Sequence, residues 1–244
     1  MSILITGGST GIGRGIALHF AKDGNDVFVN YAHNDDAAAE AASLIEQRGG
    51  HPHVIKADVG TRDGVRELLA KVKESTGQLD QIVHCAAVAY PGGLLEVDPD
   101  DIAYAVQVNA LSLIDVVREA MPILVRGSCV YMISSRGGKI VVPAYGPLGI
   151  PKALADHIIR YLAIELAPRG MRANMIAPGA LDTPAYRSMF PDTYEERLTA
   201  AAAANPSGRG LEFDDVAGVI ERLSGPEFAM VQGQYIAVDG GTSL

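Results

Sequence analysis

The sequence has only two cysteines, no long apolar run and no cluster of basic residues. Cys85 and Cys129 each lie in an apolar strand-like run, where reduced buried thiols are commoner than a disulfide, so a disulfide framework is excluded. No run of about 18 apolar residues is present to cross a bilayer, and the first predicted strand begins within three residues of the start, which leaves no room for a signal peptide. We therefore expect a cytoplasmic protein that is not a membrane protein.

Basic residues are outnumbered, since 20 Lys and Arg stand against 29 Asp and Glu, for a formal net charge of −9. Clustered Lys and Arg supply the main electrostatic attraction of a nucleic-acid surface, and this chain has no such cluster. We therefore exclude nucleic acid and expect a small-molecule substrate. No residue pattern predicts a metal site.

Short β-rich runs alternate with longer helical patterns along the whole chain. Seven strands are predicted, at 3–6, 27–31, 53–57, 81–84, 130–134, 172–177 and 235–238. Near-continuous apolar strands such as 130–133 are typical of a parallel sheet covered by helices on both faces. With 48% hydrophobic residues and no long linker, the sequence predicts a single α/β domain over 1–244, Rossmann-like and doubly wound around seven parallel strands.

One region, 182–210, interrupts this alternation with Pro184, Pro191 and Pro206 between polar and alanine-rich stretches. It follows the end of a predicted strand, and ligands of doubly wound sheets bind beyond the carboxyl ends of the strands. We therefore expect a substrate lid at 182–210. The alternative is an ordinary surface loop.

A glycine-rich stretch, Thr6 to Gly13, follows the apolar run 3–5 and precedes apolar residues at helical spacing. Glycine permits a tight turn and a close approach of the backbone to a ligand, and the free N–H groups of a helix start attract a pyrophosphate. The stretch therefore predicts a dinucleotide site.

The spacing Thr-Gly-x-x-x-Gly-x-Gly resembles the short-chain dehydrogenase/reductase family, and further matches continue almost to the last residue. Asp58-Val59 resembles the family's adenine-contacting pair, although Asp58 as a helix cap is an equal alternative. Pro178-Gly179 with Thr183 resembles the element that holds the nicotinamide carboxamide, with a capped turn as the alternative. The resemblance implies these cofactor-binding residues: Gly7, Ser9, Thr10, Gly11, Ile12, Gly13, Asn30, Tyr31, His33, Asp58, Val59, Ala86, Lys152, Pro178, Gly179 and Thr183.

The end of the second predicted strand bears on the choice between NADPH and NADH. An acidic residue there would bind the ribose hydroxyls and repel a 2′-phosphate, but this chain has Asn30, Tyr31 and His33 at that end. NADPH is therefore favoured and NADH stays possible, because the arginines of many NADPH-using relatives are absent. Asp35 and Asp36 would weaken the preference for NADPH.

The family's catalytic motif Tyr-x-x-x-Lys is missing, because Leu148 stands four residues before Lys152. The nearest upstream tyrosine gives Tyr145-x(6)-Lys152, which resembles the divergent branch that includes NADPH-dependent enoyl-acyl-carrier-protein reductases. On an ideal helix seven residues place Tyr145 on the face of Lys152, about 10 Å away. Pro147 and Pro151 imply that this helix begins late or is kinked.

The resemblance implies two further catalytic residues. Ser135 stands seventeen residues before Lys152, as the family's active-site serine does, and Asn109 in a predicted long helix matches an asparagine of a water-linked proton path. The alternative for Asn109 is an ordinary buried or surface asparagine. His84-Cys85-Ala86-Ala87 replaces the Asn-Asn-Ala-Gly of most relatives, which leaves the hydrogen bonding there open.

Three functions follow from these expectations. The first is reduction of an enoyl thioester, free or on a carrier protein. The resemblance implies that Lys152 holds the nicotinamide ribose and favours ionisable or strongly donating forms of nearby groups, while Tyr145 stabilises the enolate. The second is a ketoreductase or alcohol dehydrogenase, with secondary metabolism as a natural setting. The third is a cofactor-binding protein without chemistry, suggested by the missing tyrosine at Leu148, the two prolines and His84-Cys85. The family resemblance of the last strand, 235–238, further implies a homotetramer or homodimer.

Overall fold

The computed structural model describes residues 1–244 as a seven-stranded parallel sheet with helices on both faces. The strand order is β3-β2-β1-β4-β5-β6-β7, and every pairing is parallel. The strands are β1 Ser2–Thr6, β2 Asp26–Tyr31, β3 His51–Lys56, β4 Leu79–His84, β5 Leu124–Ile133, β6 Arg172–Pro178 and β7 Tyr235–Val238. The predicted doubly wound fold is confirmed.

Nine α-helices connect the strands. A π-helical segment, Gln107–Leu111, joins the fourth α-helix to the fifth. The helices are α1 Gly11–Phe20, α2 Asp35–Gln47, α3 Arg62–Ser75, α4 Pro99–Val106, α5 Ser112–Ala120, α6 Gly146–Leu166, α7 Pro184–Met189, α8 Tyr194–Ala203 and α9 Phe213–Leu223. Asn109 therefore lies in the π-helical segment and not in one long α-helix as expected from the sequence. No helix combines the length and the apolar character that a membrane crossing needs.

The core consists of two apolar layers, one on each face of the sheet. Successive residues of β5 alternate between them: Val130 and Met132 belong to one buried cluster, and Tyr131 and Ile133 belong to the other. This alternation follows from the two-residue repeat of a strand, and it explains why the sequence of β5 is apolar without interruption here.

Five strands begin earlier than predicted, and the difference is largest for β5. β5 starts at Leu124, because the pairing with β4 shifts register between Leu79 and Gln81 and includes residues too polar to be recognised as strand. β3 starts at His51 and contains Pro52, which removes one backbone donor. Since β3 is an edge strand that pairs only with β2, this proline is tolerated there.

The order of the strands decides where a ligand can lie. The chain runs from β1 outward to β3 and then returns to β4 on the other side of β1, so the crossovers diverge between β1 and β4. A crevice forms at such a switch point, beyond the carboxyl ends of the strands. Thr6 and His84 end these two strands, and they pair with each other in the register.

Candidate active site

The glycine positions of the loop after β1 have no room for side chains. Gly7 and Gly11 have φ of +62° and +52°, a region that favours glycine. A Cβ at Gly7 would lie 2.8 Å from the Cα of Ala86, and one at Gly13 would collide with the carbonyl oxygen of Gly7. The loop is therefore a bare-backbone cradle that an added Cβ would fill.

Helix α1 begins directly behind this cradle. Thr10 is its N-cap in an extended conformation, its side chain caps no N–H group, and the first turn carries no acidic residue. The first N–H groups of a helix have no partner within the helix, so those of Gly11, Ile12 and Gly13 suit an anionic ligand. Together with the cradle, they fit the pyrophosphate of a dinucleotide.

Asn30 does not face the cradle with a free amide. The residue is 2% exposed, and its Nδ2 donates to the carbonyl oxygen of Ala57 at 2.9 Å while its Oδ1 lies 3.4 Å from the N of Gly7. Asn30 thus ties the glycine loop to β3. Val59 is also buried, and its side chain belongs to the core cluster.

The acidic residues after β2 are partly compensated. Lys56 donates to both carboxylate oxygens of Asp35 at 2.9 Å and Tyr31 donates to Oδ1 at 2.8 Å. Hydrogen bonding from Lys56, the larger effect, and from Tyr31 lowers the pKa of Asp35. The expected repulsion of a 2′-phosphate by Asp35 is therefore reduced by the cation beside it, while His33 is exposed and free of a salt bridge.

Asp58 binds its own loop and a neighbouring helix. Its Oδ1 accepts from the N of Gly60 at 2.8 Å, and Tyr104 donates to the carboxylate at 3.2 Å. The N-cap of α3 is Thr61, whose hydroxyl accepts from the N of Gly64, so the helix-cap alternative for Asp58 is wrong.

Tyr145 and Ser135 meet beyond β5. The Tyr145 hydroxyl lies 3.0 Å from Ser135 Oγ, which also accepts from the N of Gly137 at 3.1 Å. Lys152 is 6% exposed, and its Nζ donates to the carbonyl oxygen of Ile133 at 2.8 Å. Three of the four predicted catalytic residues, all except Asn109, therefore gather around the end of one strand.

The ideal-helix relation between Tyr145 and Lys152 is corrected by the start of α6. Tyr145 has φ of −111° and ψ of 2°, and it is the N-cap of α6 instead of a helical residue. Pro147 lies in the first turn, where a missing N–H has no cost, and this position starts the helix after Tyr145. Pro151 lies inside the helix and removes the hydrogen bond that the residue there would donate to the carbonyl of Pro147.

Leu148 takes no part in proton transfer. It is buried in a small cluster with Met189, the last residue of α7, and with Phe190, which comes directly after α7. The Phe190 ring lies parallel to that of Tyr145, with centroids 6.4 Å apart, and the Tyr186 ring meets Phe190 edge-on at 5.1 Å. Tyr186 and Phe190 were not predicted as site residues from the sequence. Their position inside the irregular region 182–210, the predicted lid, was the signal that could have indicated them.

Asn109 holds the chain that leaves β4. Its Oδ1 accepts from the N of Val88 and its Nδ2 donates to the carbonyl oxygen of Val88, both at 2.9 Å. Asn109 is fully buried. Its side-chain amide therefore fixes the loop beside Ala86 through two paired hydrogen bonds.

Thr183 joins the segment after β6 to the glycine loop. Its hydroxyl accepts from the N of Tyr186 at 3.0 Å and caps α7, as the capped-turn alternative expected. A Cβ at Gly11 would lie 3.2 Å from the Thr183 side chain. Earlier in the chain than Thr183, Pro178 ends β6 and the N of Gly179 donates to the carbonyl oxygen of Val238. The start of 182–210 therefore lies directly over the cradle.

Burial dominates the electrostatics of the site. It lowers the pKa of Lys152 to about 8, with a weak opposing effect of Cys85. It raises the pKa of Tyr145, against the hydrogen bond of Ser135, so the phenol keeps its proton at neutral pH. The charge of Lys152 acts on the pKa of Cys85 and of His84, and it is not among the causes of the raised pKa of Tyr145.

The chain is similar to known proteins over nearly its full length. A family model described as enoyl-(acyl carrier protein) reductase matches residues 7–243. The 1-cyclohexenylcarbonyl-CoA reductase of Streptomyces collinus is 30% identical over 99% of this chain and 86% of the relative, and versicolorin reductase stcU of Emericella nidulans is 32% identical over 98% and 94%. A short chain dehydrogenase from Burkholderia cenocepacia, solved in complex with NADP, has a TM-score of 0.88 at 29% identity over 100% of this chain and 97% of that one.

Burial of Lys152 has a consequence for stability. Because its pKa of about 8 lies below the ordinary 10.5, the unfolded chain binds more protons between these values, and the free energy of unfolding gains from this group as pH rises through that window. Lys152→Met removes the gain, so its stability relative to the wild type should fall by about 3 kcal/mol from pH 7 to pH 10.5. Urea unfolding of the cofactor-free protein at both pH values measures this.

The control is Lys71→Met, which replaces an exposed lysine without a salt bridge. It should leave the pH dependence of unfolding as in the wild type. Equal pH dependence in Lys152→Met and Lys71→Met would contradict a buried ammonium.

Proposed function

The chain belongs to the short-chain dehydrogenase/reductase family of NAD(P)-dependent oxidoreductases, and on this premise we propose that it uses NADPH to reduce the 2,3 double bond of an enoyl thioester. The observation that carries the proposal is the place of the proton donor. Tyr145 stands before α6 and beside Ser135, while Leu148, at the family's usual tyrosine position, is buried among apolar side chains.

The cofactor proposal rests on the glycine cradle and the end of β2. Gly7, Gly11 and Gly13 would hold the pyrophosphate, and Lys152 would hold the nicotinamide ribose. No carboxylate ends β2, and Asp35 just beyond it is bound by Lys56. The NADP complex of the Burkholderia relative supports the same choice. When bound, NADPH supplies the hydride.

The side chains of the site suit a carbonyl oxygen that gains negative charge. A hydroxyl that keeps its proton can donate a strong hydrogen bond to such an oxygen, and burial keeps Tyr145 protonated. Ser135 Oγ, 3.0 Å from the phenol oxygen, orients that proton. In an enoyl thioester two carbon atoms separate this oxygen from the carbon that accepts hydride, which fits a phenol displaced from the usual position beside Lys152.

The wall of the site beyond Tyr145 suits an acyl chain. Leu148, Met189 and Phe190 form a buried apolar cluster, and Tyr186 packs against it. Two of these four residues come from α7 and one follows it directly, so the segment 182–210, with α7 and α8, is proposed as the substrate lid.

Turnover of paired thioesters tests the proposal. We expect faster NADPH oxidation with a 2-enoyl thioester than with the 3-oxo thioester of equal chain length. Tyr145→Phe should lower kcat with the enoyl substrate about 100-fold, because it removes one donor to the developing charge. Tyr186→Phe, a phenol in the same pocket without a hydrogen bond to Ser135, is the matched control and should change kcat less than about fivefold.

Carbonyl reduction is the second candidate, favoured by the contact between Tyr145 and Ser135, since the same phenol can protonate a carbonyl oxygen that receives hydride on its own carbon. The relative named versicolorin reductase agrees with a wider range of reductions. Preference for the 3-oxo thioester would overturn enoyl reduction and establish this second function.

Two arginines at the mouth of the site support a substrate that carries an anion. Arg136 directly follows Ser135 and has no salt bridge, and Arg197 of α8 stacks 4.1 Å over the centroid of Phe190 with only its Nε bonded, to Thr193. Both charges oppose the rise in the pKa of Tyr186 that burial causes. We propose that they meet the phosphate of a pantetheine arm, as in coenzyme A or a carrier protein.

Substrate truncation tests this role of Arg136 and Arg197. Each change to Gln should raise KM for a coenzyme A thioester about fivefold, the usual effect of an exposed charge contact, and should leave KM for the matching N-acetylcysteamine thioester unchanged. Arg169→Gln is the control, because Arg169 is exposed, has no salt bridge and lies in the turn between α6 and the start of β6, whereas the site lies beyond the strand ends. Equal losses with both thioesters would contradict phosphate binding but leave the reductase reaction intact.

An exposed apolar stripe on α6 supports assembly into a homotetramer. Ile150, Leu154, Tyr161 and Ile164 recur at helical spacing, and Tyr161 and Ile164 are 71% and 74% exposed. A two-fold axis would pack this stripe against its copy, and the edge strand β7 offers a second such surface. Both interfaces together close a tetramer.

Ile164→Lys should break the α6 interface, because it places charges in the centre of an apolar contact. Light scattering should then show half the mass of the wild type, which we expect at four times the chain mass. Leu95→Lys, at an exposed leucine off this stripe, should not change the mass. A monomeric wild type would refute the proposed assembly.

A further inference from the structure

We propose that His84 is a positioning residue of the cofactor site: one ordered chain of hydrogen bonds through its ring fixes the glycine loop, the end of β4 and the π-helical segment relative to one another. His84 ends β4 and is completely buried. It stands where the sequence departs from most relatives of the family, which have asparagine.

One ring nitrogen binds the residue that opens the glycine loop. Thr6 Oγ1 lies 2.8 Å from His84 Nδ1 and also accepts from the backbone N of Cys85 and of Ala86, both at 3.2 Å. A hydroxyl has one proton and two lone pairs, and the two N–H groups occupy the lone pairs. The Thr6 proton is therefore donated to Nδ1, which must be unprotonated.

The other ring nitrogen binds the π-helical side. His84 Nε2 lies 3.2 Å from the carbonyl oxygen of Val108 and 3.0 Å from Ser112 Oγ, while Ser112 Oγ donates to the same carbonyl at 2.8 Å. A carbonyl oxygen only accepts, so Nε2 carries the proton. The ring is therefore neutral with hydrogen on Nε2, as burial also favours by lowering the pKa of His84 to about 4.

The chain of bonds reaches two walls of the cofactor crevice. At the Thr6 end, Gly7 follows and approaches Ala86 so closely that a Cβ has no room. At the Val108 end, Asn109 follows and clamps the backbone of Val88. The backbone hydrogen bonding of a π-helical turn differs from that of an α-helix. His84 and Ser112 bind the carbonyl oxygen of Val108, which lies within this turn.

An apolar side chain would fill the space of this ring but would not orient the walls. It would leave the Thr6 hydroxyl proton without its acceptor and the Val108 carbonyl with one donor fewer, in a place without water contact. Unmade hydrogen bonds of buried groups are costly, so the loop and the π-helical segment would shift to recover them. The expected result is weaker cofactor binding instead of a merely less stable fold.

The first test measures NADPH dissociation constants by fluorescence titration without substrate. His84→Phe and Thr6→Val should each raise the constant about tenfold, and the double variant should be scarcely weaker than either, because both break the same bond. His84→Asn, which retains an acceptor and a donor, should bind more tightly than His84→Phe. Met132→Leu is the control, since Met132 pairs with His84 in the sheet but makes no polar contact, and it should lower the unfolding midpoint without raising the constant.

The second test needs no variant. Nitrogen-15 NMR of the wild-type protein should show His84 as one neutral species with the proton on Nε2 from pH 7 down to about pH 5. A proton on Nδ1, or a charged ring at pH 7, would overturn the proposal even if the variants fail to fold. Unchanged NADPH binding in folded His84→Phe would also overturn it.

Discussion

The close approach of Gly7 to Ala86 is the constraint on which the site depends. Because β1 and β4 are neighbours in the sheet, their ends leave it side by side, and a Cβ at Gly7 would lie 2.8 Å from the Cα of Ala86. Thr6 fastens the two chain segments by accepting from the N of Cys85 and Ala86. The crevice that results has backbone on both sides, which is what a pyrophosphate and a flat nicotinamide ring require.

Lys152 and Tyr145 differ in their surroundings. The lysine is held under the end of β5 by the carbonyl of Ile133, and its charge acts on the pKa of His84 and Cys85. The tyrosine stands outside the first turn of α6 and pairs with Ser135. A buried phenol with a raised pKa is suited to donate a hydrogen bond and poorly suited to ionise, and this supports stabilisation of a substrate oxygen over use of Tyr145 as a base.

The segment that breaks the regular alternation of the fold packs against the start of α6. Phe190 stacks on Tyr145, and the guanidinium of Arg197 lies over the ring of Phe190. The start of this segment also touches the glycine loop, since a Cβ at Gly11 would lie 3.2 Å from the Thr183 side chain. In the proposed function the apolar cluster would contact the acyl chain, and the two arginines would meet the anionic carrier.

The sequence by itself determined the parts of the protein that depend on neighbours along the chain. Strand alternation, the glycine spacing and the pattern Tyr145-x(6)-Lys152 are local, so they predicted the parallel sheet, the dinucleotide cradle and the displaced phenol. Other features join residues far apart in the chain, and only the tertiary structure decided them. Thr6 meets His84 across 78 positions, and Asn30 turns inward to bind Ala57, 27 positions away, instead of facing a ligand. The start of α6 after Tyr145 could be predicted only in part. Pro147 is compatible with a late start of the helix or with a kink, and the structure has the late start together with the packing of Leu148 against Phe190. Local patterns specify backbone conformation through sterics and hydrogen bonding, whereas the partner of a buried polar group is set by which segments the fold brings together.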